Sequence, residues 1–180
     1  MNEKPARESG AKRASAKRSA LETAAALLAA RACTKKELRD KLKKKGVYTY
    51  PEIAHAISEL ERMGYLSDRR YAEDAVGILR SRGFGPLRIR AKLLSKGIER
   101  DLLEELMSAP GAPGEEEDDL ARALSLLERN GRRFEKDEPP KRKQRALRFL
   151  AGKGFPASIV YQAEEKWEKG LGGSSNDEPF

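Results

Sequence analysis

The 180 residues suffice for one or two ordinary domains, and with 38% hydrophobic against 37% charged residues the apolar material must be spread over thin seams between elements. Lys and Arg outnumber Asp and Glu by 37 to 29, a formal charge of +8 that favours an anionic partner such as nucleic acid or an acidic protein surface. The single cysteine, Cys33, excludes an internal disulfide and a multi-cysteine metal site; no apolar run approaches the roughly 20 residues of a membrane helix, and a cytoplasmic location is expected.

Residues 1–19 mix basic residues with Pro, Gly and Ser and show no apolar face, which predicts a disordered basic arm. A first body, residues 20–66, opens on Leu21, Ala24, Ala25 and Leu28 at helical spacing. Thr34 and Glu37 then form a capping-box pattern ahead of Leu38 and Leu42. Lys45-Gly46-Val47 supplies a helix stop, with Gly past the end and Lys facing the negative end of the dipole. Pro51 suits a first helical position, and Ile53, Ile57 and Leu60 point inward.

A second body, residues 67–108, repeats the plan. Asp68 is expected to cap a helix carrying Ala72, Ala75, Val76 and Leu79. Gly83-Phe84-Gly85-Pro86 breaks and restarts the chain, and Ile89 and Leu93 precede a second stop, Lys96-Gly97-Ile98. Leu102, Leu103 and Leu106 form the last face. Residues 109–117, rich in Pro, Gly and acids, read as a linker, residues 115–119 as a solvated acidic run, and the joint they precede as a hinge. A third body, residues 118–168, offers Leu120, Leu124 and Leu127, then Leu147 and Leu150, a third stop Lys153-Gly154-Phe155, and Ile159, Val160 and Ala163. Residues 169–180 read as a disordered tail. Strand signals are nearly absent, so the fold class is all-α, an elongated array of three tandem three-helix repeats.

Catalytic chemistry finds no constellation. His55 and Cys33 are each alone in their type and read as a surface histidine and a buried thiol, and no phosphate-binding glycine loop or metal-ligand spacing occurs; a non-enzyme without cofactor or metal is expected. The positive signal is charge. Residues 69–100 hold nine cations against three acids, a net of +6, and Arg88, Lys92 and Lys96 repeat at i, i+4, i+8 on one helix face. Tyr48, Tyr50, Tyr65, Tyr71, Phe84 and Phe155 fall at helix ends and turns, where packing between helices is the expected role.

The ordered combination Gly64-Tyr65-Leu66-Ser67-Asp68-Arg69-Arg70-Tyr71-Ala72, then Gly83-Phe84-Gly85-Pro86 with Arg88-Ile89, and then Arg148-Phe149-Leu150 with the third Lys-Gly stop resembles the RecX family, bacterial regulators of the RecA recombinase. The resemblance spans about residues 20–167; Ser67 stands where the family often has a second acid. It implies a helical rod lodged in the groove of the RecA–DNA filament, restraining ATP hydrolysis, strand exchange and filament extension in DNA repair, recombination and the SOS response. A monomer with weak, sequence-tolerant affinity for single- or double-stranded DNA is expected from the charge pattern. Arg70 and Arg88 match family motif positions as contact residues; Arg69, Arg90, Lys92, Lys96 and Arg148 join them through the stripe argument. The rival reading is a winged-helix transcription regulator, since residues 34–66 read like a helix-turn-helix, but the helical spacing after Asp68 leaves no place for a wing.

Overall fold

A computed structural model describes residues 18–108, 116–134 and 136–173; the expected arm before residue 18, residues 109–115 of the expected linker and the tail after residue 173 lie outside these. The described residues form nine α-helices and one 3-10 turn, with no strand. In the first unit α1 spans Ala20–Ala30, α2 Lys35–Lys44 and α3 Tyr50–Arg62. All three begin by the same local device, a hydroxyl residue followed three positions later by Glu. The Glu22 and Glu37 N–H groups donate to the hydroxyls of Ser19 and Thr34, both at 3.1 Å, and each Glu carboxylate accepts from the cap N–H in return. Ahead of α3, Glu52 accepts from both the N–H and the hydroxyl of Thr49, and Pro51 is the second helical residue rather than the first. Ser19 thus belongs to the first helix and not to the arm. Ala24, Leu38, Leu42, Ile53, Ile57, Leu60 and Leu66 close the core, with Cys33 buried among them. Burial pushes the Cys33 thiol up, away from the reactive thiolate.

In the second unit α4 spans Asp68–Ser81, α5 Pro86–Ser95 and α6 Arg100–Ser108. The cap of α4 is Ser67, whose hydroxyl accepts from the Arg70 N–H, and not Asp68. Asp68 instead reaches back to accept the Lys35 N–H at 2.8 Å, so one residue starts α4 while its side chain satisfies the start of α2. α4 runs where a wing would have to follow a helix-turn-helix, which excludes the winged arrangement. The second core is thin: Ala72, Ile89, Leu93, Ile98 and Leu103 are its fully buried members. A core of that size leaves the unit dependent on its neighbours.

In the third unit α7 spans Glu116–Asn130, α8 Pro139–Lys153 and α9 Ala157–Gly173, with a 3-10 turn over Gly131–Arg133 after α7. Leu127, Phe134, Leu150, Phe155, Ile159 and Trp167 fill its core, and the Phe134 and Trp167 rings meet edge to face at 6.3 Å. Two expectations are corrected here. Residues 116–119 are the first turn of α7 and not a solvated run, because Asp119 is fully buried against Arg122 and Asp118 pairs with Arg80. Helix α9 also continues through residues 169–173, the start of the expected tail.

The three Lys-Gly stops place Gly46, Gly97 and Gly154 at φ of +67°, +87° and +90°, the left-handed turn that ends a helix at little cost only for glycine. The second and third stops also join the units. The Lys96 carbonyl accepts the Thr34 hydroxyl at 2.7 Å, the Ser95 carbonyl accepts Lys36 Nζ at 3.3 Å, and the Lys96 ammonium pairs with Glu37. One joint further on, the Gly85 N–H donates to the Lys153 carbonyl at 2.9 Å, the Leu87 N–H to the Gly154 carbonyl at 3.0 Å, and Arg88 to the Gly152 carbonyl. Arg122 adds a bond of 2.6 Å to the Phe84 carbonyl. The joint before the third unit is thus made by main-chain hydrogen bonds together with the half-buried Arg122.

Candidate functional site

The seven cations singled out from the sequence separate into three groups. Arg69, Arg90 and Lys96 are engaged by carboxylates: Arg69 with Glu105 and, at 3.9 Å, Glu73; Arg90 with Glu104 at 3.1 Å; Lys96 with Glu37. The bond to Glu37 raises the Lys96 ammonium above its ordinary range. Burial pushes the Glu37 carboxyl up, but Lys96 and the Thr34 N–H together outweigh it and hold the carboxyl low. Arg70 and Arg148 are exposed and make no ion pair among the described residues.

Arg88 and Lys92 form the third group, and they have company. Their charged ends lie 4.9 and 5.2 Å from the centre of the Phe84 ring, and Lys153 Nζ, from the end of α8, lies 5.6 Å from the same ring and 5.6 Å from that of Phe149. None of these three cations has a carboxylate partner among the described residues. Phe84 is held half-buried by the Gly83-Phe84-Gly85-Pro86 turn, and the Gly152 carbonyl aims the Arg88 guanidinium. The ring faces offset part of the repulsion between like charges. An arriving anion relieves the rest, which makes this seam the part of the described surface best arranged to receive one.

The stripe Arg88-Lys92-Lys96 is therefore divided: its first two members face the seam with the third unit, and its last is turned onto the first unit. Lys153 was not singled out, although the third Lys-Gly stop is the signal that places it. Arg122 was missed as well. Its guanidinium binds Asp119 at 2.8 Å, the Phe84 carbonyl at 2.6 Å and the Arg80 carbonyl at 3.3 Å, and stacks 5.7 Å from the Phe155 ring. Burial lowers its proton affinity, and burial raises the Asp119 carboxyl, each opposed by attraction to the other. Of the aromatics expected to lock joints, Phe155 is buried and Tyr48, Tyr71 and Phe84 half-buried, whereas Tyr50 and Tyr65 stand exposed. His55 is exposed, and among the described residues no cluster of His, Cys, Asp and Glu could hold a metal ion.

Comparison with known proteins follows the same three-unit division. Residues 20–60, 67–107 and 116–163 match, in order, the first, second and third three-helix domains of RecX. Regulatory protein RecX of Thermus thermophilus is 38% identical over 144 residues, which cover 80% of this chain and 89% of the relative. The chain belongs to the RecX family. Regulatory protein RecX of Legionella pneumophila is 33% identical over 141 residues, covering 78% and 89% of the two chains. The crystal structure of RecX from Lactobacillus salivarius superposes with a TM-score of 0.72 at 22% identity, over 83% of this chain and 95% of that one, a likeness of fold. The Thermus and Legionella relatives are named as regulatory proteins. Within the RecX frame, the Phe84 seam draws Arg88 and Lys92 from the second matched domain and Lys153 from the third. No helix among the described residues is long and apolar enough to cross a membrane.

Proposed function

We propose that this chain is a cytoplasmic, monomeric regulator that binds the RecA–DNA filament in its helical groove and restrains ATP hydrolysis, strand exchange and filament extension, and so modulates recombination, DNA repair and the SOS response. The observation that carries this reading is the cluster of Arg88, Lys92 and Lys153 around Phe84, without carboxylate partners among the described residues and set between the second and third units of a RecX array. Arg70 and Arg148 extend the same charge, and Arg69, Arg90 and Lys96 add to the field although each is already paired. A rigid row of units can contact successive subunits of a filament, and an uncompensated positive field speeds its encounter with an anionic groove. The same field supports weak, salt-sensitive and sequence-tolerant affinity for bare DNA.

The deciding experiment is a titration of the chain into RecA hydrolysing ATP on single-stranded DNA. Inhibition at or below stoichiometric amounts is expected, with Arg88→Glu plus Lys92→Glu weakening it while leaving the helical circular-dichroism signal intact. Undiminished hydrolysis at saturating chain overturns the reading.

A further inference from the structure

An α-helix leaves its last carbonyls without partners, and at both joints of this chain the start of another helix supplies the donors, through side chains at the first and through N–H groups at the second. The end of α5 lies on the start of α2, and the end of α8 lies on the start of α5, so that the negative end of one helix dipole faces the positive end of another. A side chain added at Gly97 would meet the Lys36 stem, and one added at Gly154 would meet Arg88, which shows how closely the stops are seated.

Helix α2 ends in the same way, in Lys43-Lys44-Lys45-Gly46-Val47, but here no described residue is seated on it. The Lys44 and Lys45 carbonyls, equivalent to those of Ser95 and Lys96, receive no hydrogen bond among the described residues. Among those residues, and apart from its chain neighbours, no atom lies within 4 Å of where a Gly46 Cβ would stand; Val47 is 45% exposed and Tyr50 is 75% exposed. The first unit thus presents the half of a joint that the other two units use internally.

The occupant can be narrowed. A second copy of the chain would have to offer the start of α8, and there Pro140 lacks the N–H that Leu87 provides at the start of α5 and no acid stands in the first turn. The chain's own N-terminal segment leaves beside this end, where the Tyr48 hydroxyl donates to the Arg18 carbonyl at 3.1 Å. In sequence it carries six cations against Glu3 and Glu8, a net charge of the same sign as Lys43, Lys44 and Lys45, which makes it a poor electrostatic match. What fits is a helix start with free N–H groups and a carboxylate in its first turn, as Glu37 provides for Lys96.

We propose that residues 43–47 form a docking knob for the N-terminal turn of a helix on a partner protein, repeating between molecules the joint made twice within this one. The proposal rests on the filament reading above: the helix belongs to the filament protein and not to its DNA. The test compares wild type with Lys44→Glu plus Val47→Asp, both at exposed positions, for binding to RecA filaments assembled on a single-stranded oligonucleotide and to the same oligonucleotide bare. Filament affinity is expected to fall about tenfold or more, as for loss of a charged interface contact, while affinity for bare DNA changes much less. The Lys44→Arg plus Val47→Ile chain should bind both as wild type does. Unchanged filament binding by the first variant, with Arg88→Glu plus Lys92→Glu still weakening it, overturns the knob and leaves the filament reading standing. Equal loss on bare DNA also overturns it, since the knob would then be a phosphate contact. A wild-type chain that does not bind filaments overturns both.

Discussion

The joint between the first and second units is tied through side chains: a threonine hydroxyl, two lysine ammonium groups and two carboxylates. The joint between the second and third is tied by two main-chain bonds from Gly85 and Leu87, with two arginines donating to main-chain carbonyls around them. The same Lys-Gly stop docks in both places, but what receives it differs. Thr34 has a side chain that can bridge to the arriving helix end, whereas Gly85 has none and lets the arriving backbone come into direct contact. The contrast teaches that a repeated motif can set the geometry of a joint while a single receiving residue sets whether side chains or the main chain make it. The candidate binding surface lies on the main-chain joint, where Arg88 and Lys153 come from different units and keep their spacing only if those units stay in register.

The sharpest way to break the contrast is at Arg122. Arg122→Met removes the donor to the Phe84 carbonyl and leaves Asp119, fully buried and with Oδ2 already lacking a partner, without its cation. Breaking a buried pair in this way costs about 3–5 kcal/mol, read as a lowered midpoint of urea unfolding. The loss should depend on pH in a defined direction. Burial already holds the Asp119 carboxyl above its ordinary range, and removing the arginine raises it further. A carboxyl whose folded value is raised favours the folded state as it takes up its proton, so the deficit at about pH 7 should narrow towards about pH 4. Adding Asp119→Asn should recover part of the loss at about pH 7, and a deficit that neither acid nor Asn relieves would show that Arg122 acts by packing alone.

Gly85 tests the joint more directly. Its φ of −81° suits any residue, so Gly85→Ala acts through space alone: the new methyl would land on the Gly154 carbonyl and the Phe155 nitrogen, main-chain atoms that cannot turn aside. Overpacking of this kind costs about 1–3 kcal/mol, and the third unit should swing away from the second, seen as a larger radius of gyration by X-ray scattering. Gly46→Ala is the control. It faces open space but sits at φ +67°, so it should cost about 1 kcal/mol of backbone strain with no change in radius. Equal radii for the two variants would remove the distinction between a seated stop and a free one.

How much of this was legible depended on how far apart the interacting residues lie in sequence. The Thr34–Glu37 box and the three glycine stops follow from backbone rules acting over four residues, and the predicted helix faces point into a core except at Ala25, which is exposed. Asp68 was read as a cap by the same local logic, yet its carboxylate serves Lys35, 33 residues earlier, and Ser67 takes the cap. The acid run at 115–119 looked solvated because Arg80, which pairs with Asp118, lies 38 residues earlier, and because Arg122, although only three residues from Asp119, is turned inward by the Phe84 and Arg80 carbonyls of the second unit. The candidate surface was half legible: the i, i+4 spacing placed Arg88 and Lys92 together, but nothing local reveals that Lys153 joins them or that Lys96 is drawn to Glu37, 59 residues away.

That last pair gives the smallest effect and the finest test of the side-chain joint. The Glu37 carboxyl is held low, so its share of the stability is present above the ordinary glutamate value of about 4.3 and lost as pH falls through the folded value. The Lys96 ammonium is held high, so its share is present below the ordinary lysine value of about 10.4 and lost as pH rises through its own folded value. Lys96 is more than a third exposed, and solvent screening limits the pair to about 0.2–1 kcal/mol. Thermal unfolding of wild type and Lys96→Met should therefore differ by a small, salt-sensitive amount between those limits and converge outside them. Arg88→Met, which loses a bond to a carbonyl that does not titrate, should show a difference flat across the same range. If the Lys96→Met difference is also flat, the ammonium contributes through the packing of its stem, and the two joints differ less in chemistry than in the residue that receives the helix end.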